Sequence, residues 1–234
     1  MINYAHRGAS DYAPENTLSS FYLGLVMGAN GIETDVQRTK DGVLVLFHDD
    51  TLERVTGEKG SVSDYTLKEL SKFKVTGNST CGFYDKIVTF REFLEKFASY
   101  DISFAIELKT DGIEKEVVDL IREFGIEKKT TVTSFKFDYI KKAKEYAPDI
   151  RVGFLTQGDG VADMEKLKNI GGEEMAPMAT DMTHESVSVL RENGFGVRAW
   201  GVANVALMKK MCALSVDGMT VNFPDRLTQF LGSK

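Results

Sequence analysis

Short apolar runs alternate with amphipathic stretches from one end of this 234-residue chain to the other. The apolar runs have the length of strands and predict eight of them, at residues 2–5, 31–36, 102–108, 130–134, 150–155, 174–178, 197–201 and 216–220. Helical spacing of apolar residues between the runs predicts helices at 17–27, 90–97, 113–124, 138–146, 161–170, 184–192 and 205–212. The stretch 225–231 follows the last strand and completes the alternation.

The order of these elements predicts an α/β fold: a closed parallel (β/α)8 barrel of the TIM type, formed by one domain over residues 1–234. A doubly wound open sheet is the alternative, but it is expected to carry a glycine-rich phosphate loop after its first strand. The segment His6-Arg7-Gly8-Ala9-Ser10 occupies that place, and it contains no GxGxxG motif. The sequence therefore favours the barrel.

One stretch interrupts the alternation after the second strand. Asp41-Gly42 lies between two apolar runs, which predicts a hairpin. Residues 49–87 are then polar and rich in Gly and Thr, with one short helical piece at 67–73. We interpret 49–87 as a small insertion, with a lid over the barrel mouth as one interpretation of its role.

Composition narrows the class of function. The formal net charge is −6 and charges of both signs are mixed, without the basic stripe that would indicate nucleic acid. The chain shows no apolar run near the roughly 20 residues that span a bilayer, and no signal-peptide pattern, so we expect a cytoplasmic protein without membrane insertion. Cys81 and Cys212 are far apart and lie outside any CxxC pattern, so we expect thiols.

Three carboxylates lie near predicted strand ends, where barrel active sites form. Glu33 and Asp35 are two residues apart on the second predicted strand, so their side chains point to the same face. Glu107 and Lys109 repeat this spacing at the end of the third predicted strand. Converging carboxylates repel one another unless a cation lies among them, and Mg2+ or Ca2+ prefers such oxygen ligands. The alternative is that Glu33 and Asp35 are barrel-interior groups paired with Lys109 or Arg7.

Two of the three histidines, His6 and His48, lie at strand ends near these carboxylates. A pair of imidazoles can divide the roles of general base and general acid near neutral pH, as cleavage of a phosphodiester requires. The third, His184, begins a predicted helix and is expected at the surface. Arg7 and Lys109 are candidate phosphate ligands. Trp200 either forms an apolar wall for the alcohol part of a substrate or belongs to the core.

The motifs in their order resemble those of the glycerophosphodiester phosphodiesterase family over nearly the whole chain. They are His6-Arg7-Gly8, Pro14-Glu15-Asn16-Thr17, Glu33-Thr34-Asp35-Val36, Lys40-Asp41-Gly42, His48-Asp49, Glu107-Leu108-Lys109, Ser134-Phe135, Trp200 with Val202 and Asn204, and Asp217-Gly218 with Asn222 and Pro224. Two departures, Gly201 and Val221, stand where the family often has threonine, and they bear on substrate preference.

The resemblance implies a (β/α)8 barrel that hydrolyses glycerophosphodiesters to glycerol 3-phosphate and an alcohol. It implies that His6 and His48 form the acid/base pair and that Arg7 and Lys109 contact the phosphate. It further implies that Glu33, Asp35 and Glu107 hold one divalent metal ion, Mg2+ or Ca2+. The expected partner is a small-molecule glycerophosphodiester, and the sequence leaves the oligomeric state open, a homodimer included.

Two other functions remain open at this stage. A phospholipase of the same barrel type would cleave phosphoinositides or lysophospholipids. We would expect such an enzyme to carry an exposed apolar rim that contacts membranes, and the polar insertion of this chain offers little apolar surface. A non-catalytic barrel would bind phosphodiesters or a partner, and we would expect it to lack a histidine or a metal carboxylate. The sequence does not identify the preferred alcohol, the preferred metal, the nucleophile (water or the glycerol 2-hydroxyl) or which histidine is the base.

Overall fold

The computed structural model describes residues 1–76 and 82–232, and a nine-stranded sheet dominates those ranges. Eight of its strands are parallel, and a short ninth, β3, runs antiparallel to β2. The strands are β1 (Ile2–His6), β2 (Gly31–Arg38), β3 (Leu44–Leu46), β4 (Ser103–Leu108), β5 (Thr130–Ser134), β6 (Arg151–Thr156), β7 (Glu174–Pro177), β8 (Gly196–Ala199) and β9 (Gly218–Val221).

The parallel strands close into a barrel. Each pairs with the next parallel strand along the chain, and β9 pairs with β1, where Ala5 lies opposite Val221. Helices follow most of the strands, as the predicted (β/α)8 fold requires, so the fold prediction is confirmed. The last strand starts two residues later than predicted, because the turn that contains Ser215, whose φ is 57°, is followed by a bend at Asp217.

Ten α-helices lie in the described ranges, nine of them at or near predicted positions and one, at 53–56, without a predicted counterpart. They are α1 (Leu18–Val26), α2 (Glu53–Thr56), α3 (Leu67–Leu70), α4 (Phe90–Phe97), α5 (Glu114–Glu123), α6 (Phe137–Tyr146), α7 (Met164–Lys168), α8 (His184–Glu192), α9 (Val205–Ala213) and α10 (Pro224–Gly232). Thr17, Thr89, Thr183 and Asn204 cap their helices by accepting a backbone N–H bond from the first turn, which fixes where α1, α4, α8 and α9 begin.

The main core lies between the barrel and the helices around it. Phe93 of α4 is fully buried and packs edge-on against Phe21 and Phe104, with ring centroids 4.9 and 5.9 Å away. Such aromatic contacts join α1 and α4 to β4, so this part of the helical layer is fixed against the strands that carry the acidic residues.

The insertion has an apolar cluster of its own, which its polar composition did not indicate. Leu52, Val55, Val62 and Leu70 are buried there together with residues of β3 and the segment after it. The predicted helix at 67–73 is the shorter α3, and α2 precedes it. The insertion is therefore packed beside the barrel around its own small core.

Cys212 is buried on α9, whereas Cys81 lies outside the described residues, so the expected thiol state stays a prediction. Among the residues that the structure describes, none of the helices combines the length and apolar character that crossing a membrane requires.

Candidate active site

A cavity of about 280 Å3 opens at the carboxyl ends of the barrel strands. Six of the eight predicted site residues line it, and all eight lie at or directly beneath it. The lining residues are His6, Arg7, Glu33, His48, Glu107, Phe135, Leu155, Arg198, Trp200, Gly201 and Thr220. Asp35 is fully buried beside Glu33 and Glu107, and Lys109 contacts Glu107.

The three predicted carboxylates form one cluster. Glu33, Asp35 and Glu107 each offer an oxygen, and these oxygens lie within 4.8 Å of one another. Strand geometry places them there, because Glu33 and Asp35 share a face of β2 and Asp35 is in register with Glu107 on the neighbouring β4. All three side chains are buried, so their charges have little water to solvate them.

The electrostatics of this cluster favour a cation. Desolvation, and then the charge of Asp35, raise the pKa of Glu107 to about 7 and that of Glu33 well above its usual range. Desolvation opposes ionisation of Asp35 as well, but Arg7, His48, Lys109 and the hydrogen bond from Asn16 together outweigh it and hold the pKa of Asp35 low. Asp35 Oδ1 is buried without a hydrogen-bond partner among the described residues. An oxygen-only cluster with an unpartnered carboxylate oxygen could hold a metal ion.

Two cations border the carboxylates. Arg7, with a φ of 56°, places its Nη1 2.9 Å from Glu15 Oε1 and its Nε 3.3 Å from Asp35 Oδ2. Lys109 Nζ lies 3.2 Å from Glu107 Oε1. Both side chains are mostly buried, so the ion pairs hold their positive charges at the cavity instead of letting them turn outward.

His6 is fixed by a neutral partner. Its Nδ1 lies 2.7 Å from Asn222 Oδ1, and its Nε2 lies 3.9 Å from Glu33 Oε2. Because an amide oxygen only accepts, Nδ1 carries the proton and the lone pair of Nε2 faces the acidic cluster. Desolvation, and then the charge of Arg7, lower the pKa of His6 to about 3, so the ring is neutral at physiological pH.

His48 is fixed by a charged partner. Its Nδ1 lies 2.7 Å from Asp49 Oδ1. Gln37 donates from Nε2 to the backbone oxygens of Phe47 and Asp49 and so holds the loop that carries them. Desolvation opposes ionisation of Asp49, but hydrogen bonds from Arg54 and His48 outweigh it and lower its pKa to about 2. The histidine is thus backed by a fixed carboxylate.

An apolar wall faces these polar groups across the cavity. Phe135 meets Trp200 edge-to-face with ring centroids 4.9 Å apart, and Leu155 lies beside them. Trp200 Nε1 donates to Thr156 O at 2.9 Å, which satisfies its only polar atom and orients the ring. Trp200 therefore lies at the site, as one of its two predicted alternatives required, while Phe135 and Leu155 had been given no role.

Sequence reasoning missed residues that support the site. Asn16, with a φ of 56°, donates from Nδ2 to Asp35 Oδ2 at 3.0 Å, while its neighbour Thr17 caps α1. Asn222 and Asn16 both belonged to the family motifs but had no assigned function. His184 is exposed at the first residue of α8, as predicted.

An eight-stranded parallel barrel with acidic, basic and imidazole side chains gathered at its strand ends defines a (β/α)8-barrel enzyme. The model of the glycerophosphoryl diester phosphodiesterase family matches residues 6–226. The chain therefore belongs to this family of phosphoric diester hydrolases.

Individual relatives agree over the whole barrel. The glycerophosphodiester phosphodiesterase of Caldanaerobacter subterraneus subsp. tengcongensis is 32% identical over 231 residues, covering 95% of this chain and 94% of the relative. That of Bacillus altitudinis is 36% identical and covers 95% of each chain. The structure of an Oleispira antarctica phosphodiesterase in complex with the product sn-glycerol-3-phosphate superposes with a TM-score of 0.88, at 25% identity and over 99% of this chain and 97% of that one.

Proposed function

We propose that the chain hydrolyses glycerophosphodiesters to sn-glycerol 3-phosphate and an alcohol, with a divalent cation and two histidines. The observation that carries the proposal is one cavity in which the buried Glu33, Asp35 and Glu107 cluster lies beside His6 and His48. The product named for the Oleispira antarctica neighbour supports the same substrate class.

Glu33, Asp35 and Glu107 would hold one cation, Mg2+ or Ca2+. Both ions take carboxylate oxygens, and no softer nitrogen or sulfur ligand belongs to this cluster in the described residues. When bound, such a cation offsets negative charge on the phosphate and on the oxygens around phosphorus as the bond breaks. The raised pKa values of Glu33 and Glu107 support this role, because they report buried carboxylates whose desolvation and mutual repulsion are not fully offset by Arg7 and Lys109.

Arg7 and Lys109 would bind the phosphate. Two nitrogens of Arg7 contact Glu15 and Asp35, and its other N–H groups are left to donate to the phosphate. Lys109 has two N–H donors beyond the one that contacts Glu107. Donors held in place before the substrate arrives do not have to be reorganised during the reaction.

The two imidazoles would divide the proton transfers. His6 is neutral and presents the lone pair of Nε2, so it takes the proton of the attacking oxygen. Asp49 holds His48 through Nδ1, so Nε2 of the protonated ring gives a proton to the departing alcohol oxygen. The proton acceptor thus has a neutral amide as its partner, and the proton donor has a carboxylate.

The wall of Phe135, Leu155 and Trp200 would contact the carbon atoms of the substrate and keep water away from that side. Its rings offer apolar surface opposite the charged half of the cavity. The cavity is of a size for a small molecule, which suits a deacylated diester.

Turnover of glycerophosphocholine and glycerophosphoethanolamine tests the proposal. We expect His6→Ala and His48→Ala each to lower kcat by about 10²–10⁴-fold, the usual contribution of a general acid or base. His184→Ala removes an exposed histidine outside the site and is the matched control. Exhaustive chelation with EDTA should abolish activity. Turnover within a few-fold of wild type in either site variant, or full activity after chelation, would contradict the corresponding assignment.

A further inference from the structure

Arg54 of α2 lies in the insertion and binds two carboxylates at the edge of the site, those of Asp49 and Glu15. Its Nε and Nη2 donate to the two Asp49 oxygens at 2.5 and 2.9 Å. Its Nη1 and Nη2 donate to the two Glu15 oxygens, both at 2.7 Å. One guanidinium therefore makes paired hydrogen bonds with two carboxylates, a geometry that the planar arginine fork provides and a lysine ammonium does not.

Each of these carboxylates also binds a residue to which the proposed function gives a role, His48 or Arg7. Asp49 accepts from Nδ1 of His48 at 2.7 Å, and Glu15 accepts from Nη1 of Arg7 at 2.9 Å. Arg54 is thus one residue removed from the proposed proton donor and one residue removed from the proposed phosphate ligand. It touches neither of them in the contacts that the structure gives.

The backbone that carries Arg54 is fixed by the small core of the insertion. Leu52, two residues before Arg54, and Val55, directly after it, are buried in that core. The backbone N–H of Thr76 donates to Val55 O at 2.8 Å and ties α2 to the far end of the insertion. The side chain of Arg54 itself is 38% exposed, so its four hydrogen bonds, rather than packing, set the position of the guanidinium.

We propose that Arg54 is a positioning residue that locks the acid/base imidazole of His48 and the phosphate-binding guanidinium of Arg7 into one fixed arrangement. The inference rests on the proposed function and adds a role for the insertion, which supplies a structural tie of the active site. Without Arg54, Asp49 can rotate away from His48, and Arg7 is the partner of Glu15 that remains among the described residues. The imidazole then loses its fixed tautomer and orientation, while Arg7 is drawn toward Glu15.

Kinetics of Arg54 variants test the proposal. We expect Arg54→Gln to lower kcat by about 10–100-fold, the usual effect of removing a group that orients a site ligand. Arg54→Lys keeps the charge but not the fork, so it should restore only part of the loss. The control is Arg38→Gln, which removes an exposed pair with Glu116 of 2.8 Å and should leave kcat unchanged.

A double-mutant cycle separates this role from a general loss of structure. If Arg54 acts through Asp49, then Asp49→Asn should cost clearly less in the Arg54→Gln background than in the wild type. Glu15→Gln should show the same non-additivity, with its own effect falling mainly on KM. Fully additive effects on kcat and KM, or an Arg54→Gln variant with wild-type kinetics, would overturn the proposal.

The tautomer of His48 gives a readout that needs no substrate. With three histidines in the chain, nitrogen NMR of the rings can be assigned by single substitutions. At a pH where the ring of His48 is neutral, we expect its Nδ1-protonated tautomer in the wild type and in Arg38→Gln, and a mixture of the two tautomers in Arg54→Gln. An unchanged tautomer in Arg54→Gln would overturn the proposal. A wild type that hydrolyses no glycerophosphodiester would instead refute the proposed function, and the NMR result would still decide the role of Arg54.

Discussion

Replacing Glu107 by Gln should stabilise the metal-free protein above neutral pH while it removes a metal ligand. Glu107 is 6% exposed and shares a cluster with Glu33 and Asp35. Desolvation, and then the charge of Asp35, raise its pKa from 4.5 to about 7. Gln has the same shape but cannot ionise, so the variant avoids the cost of a buried charge.

The size of the effect follows from this pKa. A carboxyl group with a higher pKa in the folded state binds its proton more tightly there, so stability falls as the pH rises from the unfolded to the folded pKa. A shift of about 2.5 pKa units corresponds to about 3 kcal/mol. The Gln variant should therefore exceed the wild type in free energy of unfolding by about 3 kcal/mol at pH 8 and by about 1 kcal/mol at pH 5. The attraction of Lys109 already lowers the pKa of Glu107, so its loss is included.

Urea unfolding followed by circular dichroism in EDTA, at pH 5, 6, 7 and 8, measures this difference. Glu165→Gln is the control, because the Glu165 side chain is 68% exposed, and its free energy of unfolding should stay within about 0.5 kcal/mol of wild type. A Glu107→Gln variant that is less stable than wild type at pH 8, or whose advantage does not change with pH, would refute the reasoning about the carboxylate cluster.

Three further predictions concern the metal, a supporting amide and the core. Mg2+ or Ca2+ should raise the melting temperature of the wild type but not of Glu107→Gln. The affinity of the wild type for the ion, measured by calorimetry, should rise from pH 6 to pH 8, because protons on Glu107 compete with the ion. An affinity independent of pH would contradict this. Asn222→Ala removes the acceptor at His6 Nδ1 and should lower kcat about tenfold or more at unchanged melting temperature; an unchanged kcat would exclude an orienting role. Phe93→Ala should cost about 3–5 kcal/mol in urea unfolding, and a cost below about 1 kcal/mol would contradict its place in the core.

The parts of the site that follow from strand geometry could be predicted from the sequence. Side chains two residues apart on a strand point to the same face, so the sequence places Glu33 and Asp35 together. The register of β2 with β4 then brings Glu107 beside Asp35. His6 and Trp200 belong to the barrel mouth for the same reason: both lie at the carboxyl ends of strands, where the fold gathers side chains.

Contacts between segments with no periodic pattern could not be predicted. The helix α2 has four residues, too few to show a helical period, so nothing in the sequence linked Arg54 to Asp49 and Glu15. Asn16 and Thr17 are both good helix caps by type, and only the structure shows that Asn16 turns to Asp35 instead. The buried Arg198, whose Nε donates to Glu174 at 2.8 Å, lay inside a run predicted as a strand, where its partner depended on barrel register.

In the proposed reaction the site cleaves glycerophosphodiesters on the alcohol side of the phosphate. Phosphorus NMR of glycerophosphocholine incubated with the metal-loaded protein tests it most directly, since it identifies the product. We expect sn-glycerol 3-phosphate to accumulate and the reaction to stop after chelation or in His48→Ala. Accumulation of phosphocholine, or no turnover with Mg2+, Ca2+ or Mn2+, would contradict it.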